Sequence, residues 1–300
     1  MYKSIFYSSF CLILLNATPT LADLKSPKPS PSLVDLYQIE NTTPICDPEL
    51  PQDRCPHRGD FLWDSDPVPY VLSPRLSAIL NPQPTLRWLP VAGATRYTVT
   101  VKGGQVLMRQ ETTETQLLYS GVPLQPGRSY TVVVEADTGA SSEDDKVESI
   151  SFTLLTPEER AAVQAEVAEL RQRITDPEEQ QLAIANFYIE RGLMAAAIEL
   201  LEARWQEHPS AELAMRLGNL YFYWLQLADP SEYYYQQARE LAGEAPSLTR
   251  AVALAQLGHV QAKKRQPEAA IASWQAAQAI YRARGDIEKV EELDGYINAQ

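Results

Sequence analysis

The stretch LAIANFYIERGLMAAAIELLEARWQEHP, residues 182–209, decides the fold of the C-terminal half of the chain. Apolar and small residues recur in it every three or four positions on both sides of Gly192, which is typical of two amphipathic helices joined by a tight turn. The pattern returns after about 33–40 residues around Leu217-Gly218 and again around Leu257-Gly258. A helix pair that recurs at such a period predicts a stacked helical array.

This pattern resembles the tetratricopeptide repeat. The resemblance implies a three-unit array over residues 156–300, closed by a cap helix at residues 286–298. Small residues would let paired helices approach closely, and aromatic residues would fill the gaps between neighbours. Arg204 and Gln261 depart from the motif, and a plain antiparallel bundle is the alternative. The matching residues are Ile184-Ala185, Tyr188, Gly192, Ala197, Leu201 and Pro209, then Leu217-Gly218, Tyr221, Tyr235 and Ala238, then Leu257-Gly258, Ala270, Trp274 and Ala277.

Three helix starts are marked by capping residues. Thr156-Pro157-Glu158-Glu159 is a capping box with proline at the first helical position, where its missing N–H costs nothing. Asp176-Pro177-Glu178-Glu179 and Asp229-Pro230-Ser231-Glu232 predict helix starts of the same kind. Asp229-Pro230 also implies an irregular turn inside the second unit.

The first helices of such an array line a concave groove. By the resemblance, Asn186, Asn219 and His259 occupy equivalent places, and asparagine amides there can hold the backbone of an extended peptide. Aromatic residues could add rigid contact area, although they could equally pack the core between units. The predicted groove residues are Asn186, Glu190, Asn219, Phe222, Tyr223, His259 and Lys263.

Residues 66–155 have the pattern of strands. Alternation is clear over 85–89, 97–101 and 130–136, and a further strand is expected between Val147 and Leu154. Turn signals separate these runs at Ala92-Gly93, Gly103-Gly104 and Gln125-Pro126-Gly127. Short strands at this spacing predict a β-sandwich.

This segment resembles a fibronectin type III or related immunoglobulin-like domain. The resemblance is carried by residues 84–88 with Trp88, by residues 91–101, and by the run Leu124-Gln125-Pro126-Gly127-Arg128-Ser129-Tyr130. That last run is similar to a tyrosine corner, in which the Tyr130 phenol bonds back to nearby backbone. The predicted fold class is therefore a multidomain chain, with an all-β immunoglobulin- or fibronectin III-like sandwich followed by an all-α tetratricopeptide-like array. Secreted bacterial proteins, notably cyanobacterial ones, combine these two modules.

The N-terminus has the pattern of an export signal. Lys3 precedes a short apolar run, and Thr20-Leu21-Ala22 predicts cleavage after Ala22. The apolar run is about half the ~20 residues that a membrane-spanning helix needs, which disfavours the alternative of an anchor. Residues 1–22 are thus predicted to be a signal peptide, the mature chain to have no membrane span, and the location to be periplasmic or secreted.

A Pro-rich irregular segment, residues 23–65, follows the signal. It contains Cys46 and Cys55, the two cysteines left after cleavage. In an exported protein such a pair predicts a disulfide. Two free thiols, or a weak metal pair with His57, are the alternatives.

Composition narrows the function. The chain has 300 residues, 26 Lys+Arg against 39 Asp+Glu, and a formal net charge of −13, which disfavours nucleic acid and anionic membranes as partners. It lacks the Gly-x-Ser-x-Gly, phosphate-loop and His-Glu-x-x-His motifs. We therefore expect no catalytic residues, no metal and no cofactor. The expected function is that of an exported, non-catalytic scaffold that binds a protein or peptide in the groove.

The alternative function is binding of a carbohydrate or cell-envelope polymer through the sandwich. It would use Trp88, Tyr97 and Tyr119, and it is weakened if Trp88 lies in the core, as the resemblance implies.

Overall fold

Two β-sheets precede a helical array in the computed structural model, which describes residues 68–144 and 150–300. A three-stranded sheet has the order β1-β3-β6, and a five-stranded sheet has the order β2-β8-β7-β4-β5. Only β2 runs parallel to its neighbour, β8, among the described strand pairs. The strands are β1 Val71–Ser73, β2 Ser77–Ile79, β3 Thr85–Trp88, β4 Tyr97–Lys102, β5 Val106–Thr112, β6 Gln116–Leu118, β7 Ser129–Ala136 and β8 Ser151–Leu154.

Both sheets contribute to one apolar core. Leu86 and Trp88 from the smaller sheet are buried with Val99, Val134 and Phe152 from the larger one. Buried and more exposed residues alternate along β3, as the sequence predicted. Of the strand expected over 147–154, residues 147–149 lie outside the described residues, and β8 covers Ser151–Leu154.

Tyr130 pins the loop that precedes β7. Its phenol oxygen accepts the N–H of Gln125 at 2.6 Å and donates to the Gln125 carbonyl at 3.1 Å. This is the backbone contact predicted for the tyrosine corner. Gly127, with φ +73°, makes the turn in a conformation that favours glycine.

The helices follow directly after β8. The part of the chain that the structure describes contains eight α-helices, and a π-helical turn, Leu220–Trp224, extends the fourth. Consecutive helices pack against one another. They are α1 Pro157–Arg173, α2 Pro177–Glu190, α3 Met194–Glu207, α4 Ala211–Asn219, α5 Ala228–Leu241, α6 Leu248–Lys263, α7 Pro267–Arg284 and α8 Ile287–Asn298.

Two of the three predicted helix starts are confirmed. Thr156 and Glu159 form the reciprocal capping box of α1, and the Asp176 carboxylate accepts the first free N–H groups of α2. The predicted start at Asp229 is wrong, because α5 begins one residue earlier and Leu227 occupies the cap position. Asp229 instead lies in the first turn, where its carboxylate pairs with Lys264.

The irregular turn predicted at Asp229-Pro230 is not found there, because both residues lie in α5; the irregular backbone of the second unit is the π-helical turn that precedes them. Leu225 donates its N–H to the Leu220 carbonyl at 3.0 Å, five residues back, and Leu227 donates to Tyr221 at 2.9 Å. The wider turn ends the first helix of the second unit and directs Tyr221 and Phe222 inward, where both are buried.

The sheets and the helices belong to one compact unit. The predicted boundary at residue 156 coincides with the cap of α1, so the two regions are adjoined without a linker. The predicted signal peptide at 1–22, the irregular segment at 23–65 and the disulfide between Cys46 and Cys55 lie outside the described residues.

Candidate functional site

The first helices of successive pairs lie side by side and are joined by side-chain contacts. Asn186 on α2 accepts a hydrogen bond from Arg216 on α4 at 2.9 Å. Tyr223 in the π-helical turn donates to Gln256 on α6 at 3.0 Å. These two bridges connect α2, α4 and α6 into a continuous surface, which we call the first-helix face.

The face continues onto α8. The His259 ring meets the Tyr296 ring edge-on at 4.7 Å between centroids, and both contact Trp274. Burial lowers the pKa of His259 to about 4; the nearby Glu292 charge raises this pKa and the Lys289 charge lowers it, each by less than burial does. His259 is therefore neutral at pH 7 and serves in packing.

The predicted asparagines are not equivalent in the structure. Asn186 is buried and bonded to Arg216, whose guanidinium also lies 3.8 Å from Glu212. Asn219 accepts a hydrogen bond from Tyr235 on α5 at 2.8 Å, within its own helix pair. Both amides thus already have protein partners, and the equivalence implied by the resemblance does not extend to their contacts.

The two predicted aromatic residues differ in exposure. Phe222 is 6% exposed and belongs to the core of the array, where its ring packs edge-on against those of Tyr223 and Tyr235. Tyr223 is half-buried, with its hydroxyl on Gln256. Of the pair, Tyr223 is the one that a partner could touch.

Charged residues lie at the C-terminal ends of the first helices. Glu190 ends α2 and Lys263 ends α6, and both are exposed. The neighbouring Lys264 is engaged within the chain by Asp229 and Glu232, the latter at 2.6 Å. Lys264, one of three consecutive basic residues at 263–265, therefore links the end of α6 to α5.

The sheets contact the array at α3 and at the π-helical turn that follows α4. Arg87 on β3 forms a two-pronged ion pair with Glu202 on α3, with a shortest distance of 2.7 Å. Tyr221 donates to the same carboxylate, and burial together with Glu202 raises the pKa of the Tyr221 phenol. Tyr70 donates to the Leu225 carbonyl at 2.7 Å. Nothing in the sequence indicated this interface between the sheets and the helices.

Ser77 on β2 caps a helix of the array. Helix α3 has no side-chain cap of its own, since Leu193 occupies that position. The Ser77 hydroxyl accepts the N–H of Ala195 at 3.2 Å, and Ala78 donates its N–H to the Gly192 carbonyl at 2.9 Å. Nothing in the sequence around Ser77 indicated that its hydroxyl caps a helix more than a hundred residues away.

The aromatic residues of the carbohydrate alternative are buried. Trp88 is 2% exposed, Tyr97 3% and Tyr119 1%. Trp88 and Tyr97 pack edge-on against each other inside the sheets' core. They present no ring face to a sugar, which weakens that alternative.

A cleft of about 480 Å³ lies where the end of α5 meets α6 and α7. Its apolar floor includes Leu254 and Ile280. At its rim, the Arg250 guanidinium donates to the Gly243 carbonyl at 2.6 Å and pairs with Glu244 at 3.2 Å. Arg250 also donates to the carbonyl of Arg239 in the last turn of α5 at 3.3 Å, so its charge stabilises the C-terminal end of that helix.

Residues 68–144 and 150–300 contain neither a metal-binding cluster nor a membrane-spanning helix. No group of three or more His, Cys, Asp or Glu side chains is arranged to hold a metal ion in these segments. No helix among the described residues has the length and apolarity needed to cross a bilayer.

No protein-family model matches the chain, and no curated protein matches it at a significant level. Among solved structures it is similar to BtubC (BKLC) from P. vanneervenii, at 23% identity and a TM-score of 0.37, over 46% of this chain and 63% of BtubC. The chain thus spans less than two thirds of BtubC. It is also similar to the MamA protein (18% identity, TM-score 0.32, 47% of this chain and 82% of MamA) and to MamA MSR-1 C2 (19%, 0.31, 46% and 90%). At these TM-scores the matches assign neither a family nor a function.

Proposed function

We propose that the helical region is a tetratricopeptide-like array that binds a protein or peptide partner on the first-helix face, in a non-catalytic scaffold protein. The observation that carries this proposal is the pair of bridges Asn186–Arg216 and Tyr223–Gln256, which join three first helices into one surface. The side that carries Glu202 and Gly192 is occupied by the sheets. We therefore place the partner on the first-helix face rather than on the side covered by the sheets.

The contact residues we propose on this face are Tyr223, Glu190 and Lys263. Tyr223 is a rigid, half-buried ring with a polar tip, the kind of residue that dominates binding energy at interfaces. Glu190 and Lys263 are exposed charges of opposite sign at the ends of α2 and α6. They favour an extended partner with a basic group near α2 and an acidic group near α6.

We further propose that residues 66–155 are an immunoglobulin- or fibronectin III-like sandwich that braces the array. The strand order, the core shared by both sheets and the Tyr130 contact with Gln125 support this assignment. In this role the sandwich restricts the movement of α3 relative to α4, because Glu202 binds Arg87 and Tyr221 together.

The test is partner capture by the purified chain and by two variants. The double variant Tyr223→Ala/Lys263→Glu should lose a captured partner that the unsubstituted chain retains from an envelope extract. Direct titration of that partner should then show affinity lowered by at least about tenfold, which corresponds to ~1.4 kcal/mol. Tyr233→Ala is the matched control, because Tyr233 is 49% exposed on α5, a second helix. Equal retention by all three proteins, or equal loss in both variants, would contradict the proposal.

We also propose that the protein acts outside the cytoplasm, on the strength of the signal pattern at residues 1–22. Expression in a bacterial host should yield a chain that begins at Asp23, recovered from the periplasm or the medium. Mass spectrometry of the purified protein measures this directly. An intact N-terminus in the cytoplasmic fraction would refute export.

A further inference from the structure

Strand β5 forms the outer edge of the five-stranded sheet. It pairs with β4 on one side, from Tyr97↔Thr112 to Val101↔Met108. At its centre Arg109, Gln110 and Glu111 are all exposed. Three consecutive exposed residues include side chains on both faces of the sheet, so the edge is open to solvent there.

The backbone groups that β5 turns outward can be identified. The Arg96 carbonyl accepts the N–H of Asp137 at 3.0 Å and so faces β7. Because successive residues of a strand face opposite neighbours, Val99 faces β5, where its register partner is Gln110. Gln110 therefore bonds to β4, and the N–H and C=O groups of Arg109 and Glu111 point away from the sheet.

We propose that this edge pairs with the β5 edge of a second copy of the chain. The strands would run antiparallel about a two-fold axis at Gln110. Arg109 would then lie opposite Glu111 of the second copy, and Glu111 opposite its Arg109. Each of these two pairs would exchange both N–H···O bonds, which gives four backbone bonds in all.

Charge complementarity is the reason for assigning a second copy rather than another peptide. An exposed edge that carries charges usually resists pairing. Here Arg109 and Glu111 have opposite charges and, being two residues apart, lie on the same face of β5. An antiparallel β5 strand from a second copy therefore places each of them opposite a residue of opposite charge. Their present partners, Glu135 at 3.6 Å and Arg96 at 3.3 Å, are exposed, and the side chains of Arg109 and Glu111 remain 66% and 64% exposed.

The residues at the two ends of β5 limit the length of the ladder that two copies could share. The N–H of Val122 binds the Leu107 carbonyl at 3.1 Å and occupies the edge at that point. The ladder can therefore extend from Met108 to Thr112, and β5 ends at Thr112. Val106 and Val122, 57% and 55% exposed, both lie at the Leu107 end of β5, so each end of the shared ladder would have one such pair beside it.

A charge-swap experiment on the full chain tests the proposal. Sedimentation over a range of concentrations should show a monomer–dimer equilibrium. In the Arg109→Glu variant, each of the two cross-strand pairs consists of two glutamates. In the Glu111→Arg variant, each pair consists of two arginines. Because like charges repel, each variant alone should weaken the dimer by at least about tenfold. An equimolar mixture of the two variants restores opposite charges at both pairs and should dimerise. No effect on folding alone would produce this recovery.

The matched control is Lys102→Glu, which reverses an exposed, paired charge on β4 away from the edge and should leave dimerisation unchanged. Cross-linking tests the register. Two copies of Gln110→Cys would face each other at about 4.5 Å between Cα atoms, close enough for a disulfide. A chain that stays monomeric, a dimer that is indifferent to both single reversals, or a mixture that does not recover would each overturn the proposal.

Discussion

Gly258 determines how closely α6 and α7 approach. A Cβ atom at this position would lie 2.3 Å from Nε1 of Trp274, a side chain that is 1% exposed and donates to the Ala255 carbonyl at 3.2 Å. The Trp274 ring cannot move without losing that bond. Gly218 meets the Tyr235 ring in the same way in the preceding pair. Two glycines and two rings thus explain the spacing of two helix pairs.

We expect Gly258→Ala to lower the free energy of unfolding by about 1–3 kcal/mol, because the added methyl overpacks the contact with Trp274. Gly295→Ala is the control, since nothing lies within 4 Å of that position in α8. Alanine there should raise stability by up to about 1 kcal/mol, because it is the better helix former. Urea unfolding measures both. Equal stability of Gly258→Ala and the unsubstituted chain would show that the close approach is not needed.

Helix α8 closes the array through a polar and an aromatic contact. Gln278 on α7 donates to the Val290 carbonyl at 2.9 Å and to Asp294 at 2.7 Å. Tyr296 covers His259 and Trp274. The predicted cap helix is therefore an integral part of the packing, and its attachment depends on a neutral imidazole.

This dependence predicts a loss of stability in acid. The pKa of His259 is lowered from 6.5 to about 4 in the folded chain, so the unfolded chain binds the proton more readily. The stability that the neutral His259 ring contributes to the folded chain is fully retained above pH 6.5 and is lost as the pH falls towards 4. His259→Phe keeps a ring but cannot titrate. The stability of this variant relative to the unsubstituted chain should increase by roughly 2–3 kcal/mol between pH 7 and pH 4. Unfolding curves that keep the same separation at every pH would contradict this role.

The whole molecule is held together by contacts between the sheets and the array. Arg87–Glu202, Tyr70–Leu225 and Ser77–Ala195 connect β-strands and loops to α3 and to the turn after α4. A partly buried ion pair, a buried tyrosine hydrogen bond and a cap supplied by a distant strand orient the two regions rather than merely tether them. We therefore expect one cooperative unfolding transition for both.

Ser77→Ala should lower the free energy of unfolding by about 1 kcal/mol, because it removes the side-chain cap of α3. Ser129→Ala is the control: its exposed hydroxyl shares a hydrogen bond with that of Thr153 in the neighbouring strand, and we expect a change within about 0.5 kcal/mol. Tryptophan fluorescence and far-ultraviolet circular dichroism should report the same midpoint in each protein. Separate midpoints would show that the sheets and the array unfold independently.

The sequence determined the elements whose causes are local. The capping box at Thr156, the cap at Asp176 and the close approach of paired helices at small residues were predicted, because each depends on residues that are near one another in the sequence. Strands β1, β2 and β6 were not, since three residues are too few to show a period. The π-helical turn also left no signal, because its widened hydrogen bonds depend on what surrounds Tyr221 and Phe222.

Only the tertiary structure decided which side chains of the candidate site are accessible. Sequence spacing placed Asn186, Asn219 and His259 at equivalent positions, but Arg216, Tyr235 and Tyr296 contact them from other helices. The same holds for Ser77 and Gly192, which are 115 residues apart and meet only after the sheets and the array have formed. Periodicity specifies which face of an element is apolar. Periodicity does not specify which other element packs against that face, because this depends on how the whole chain folds.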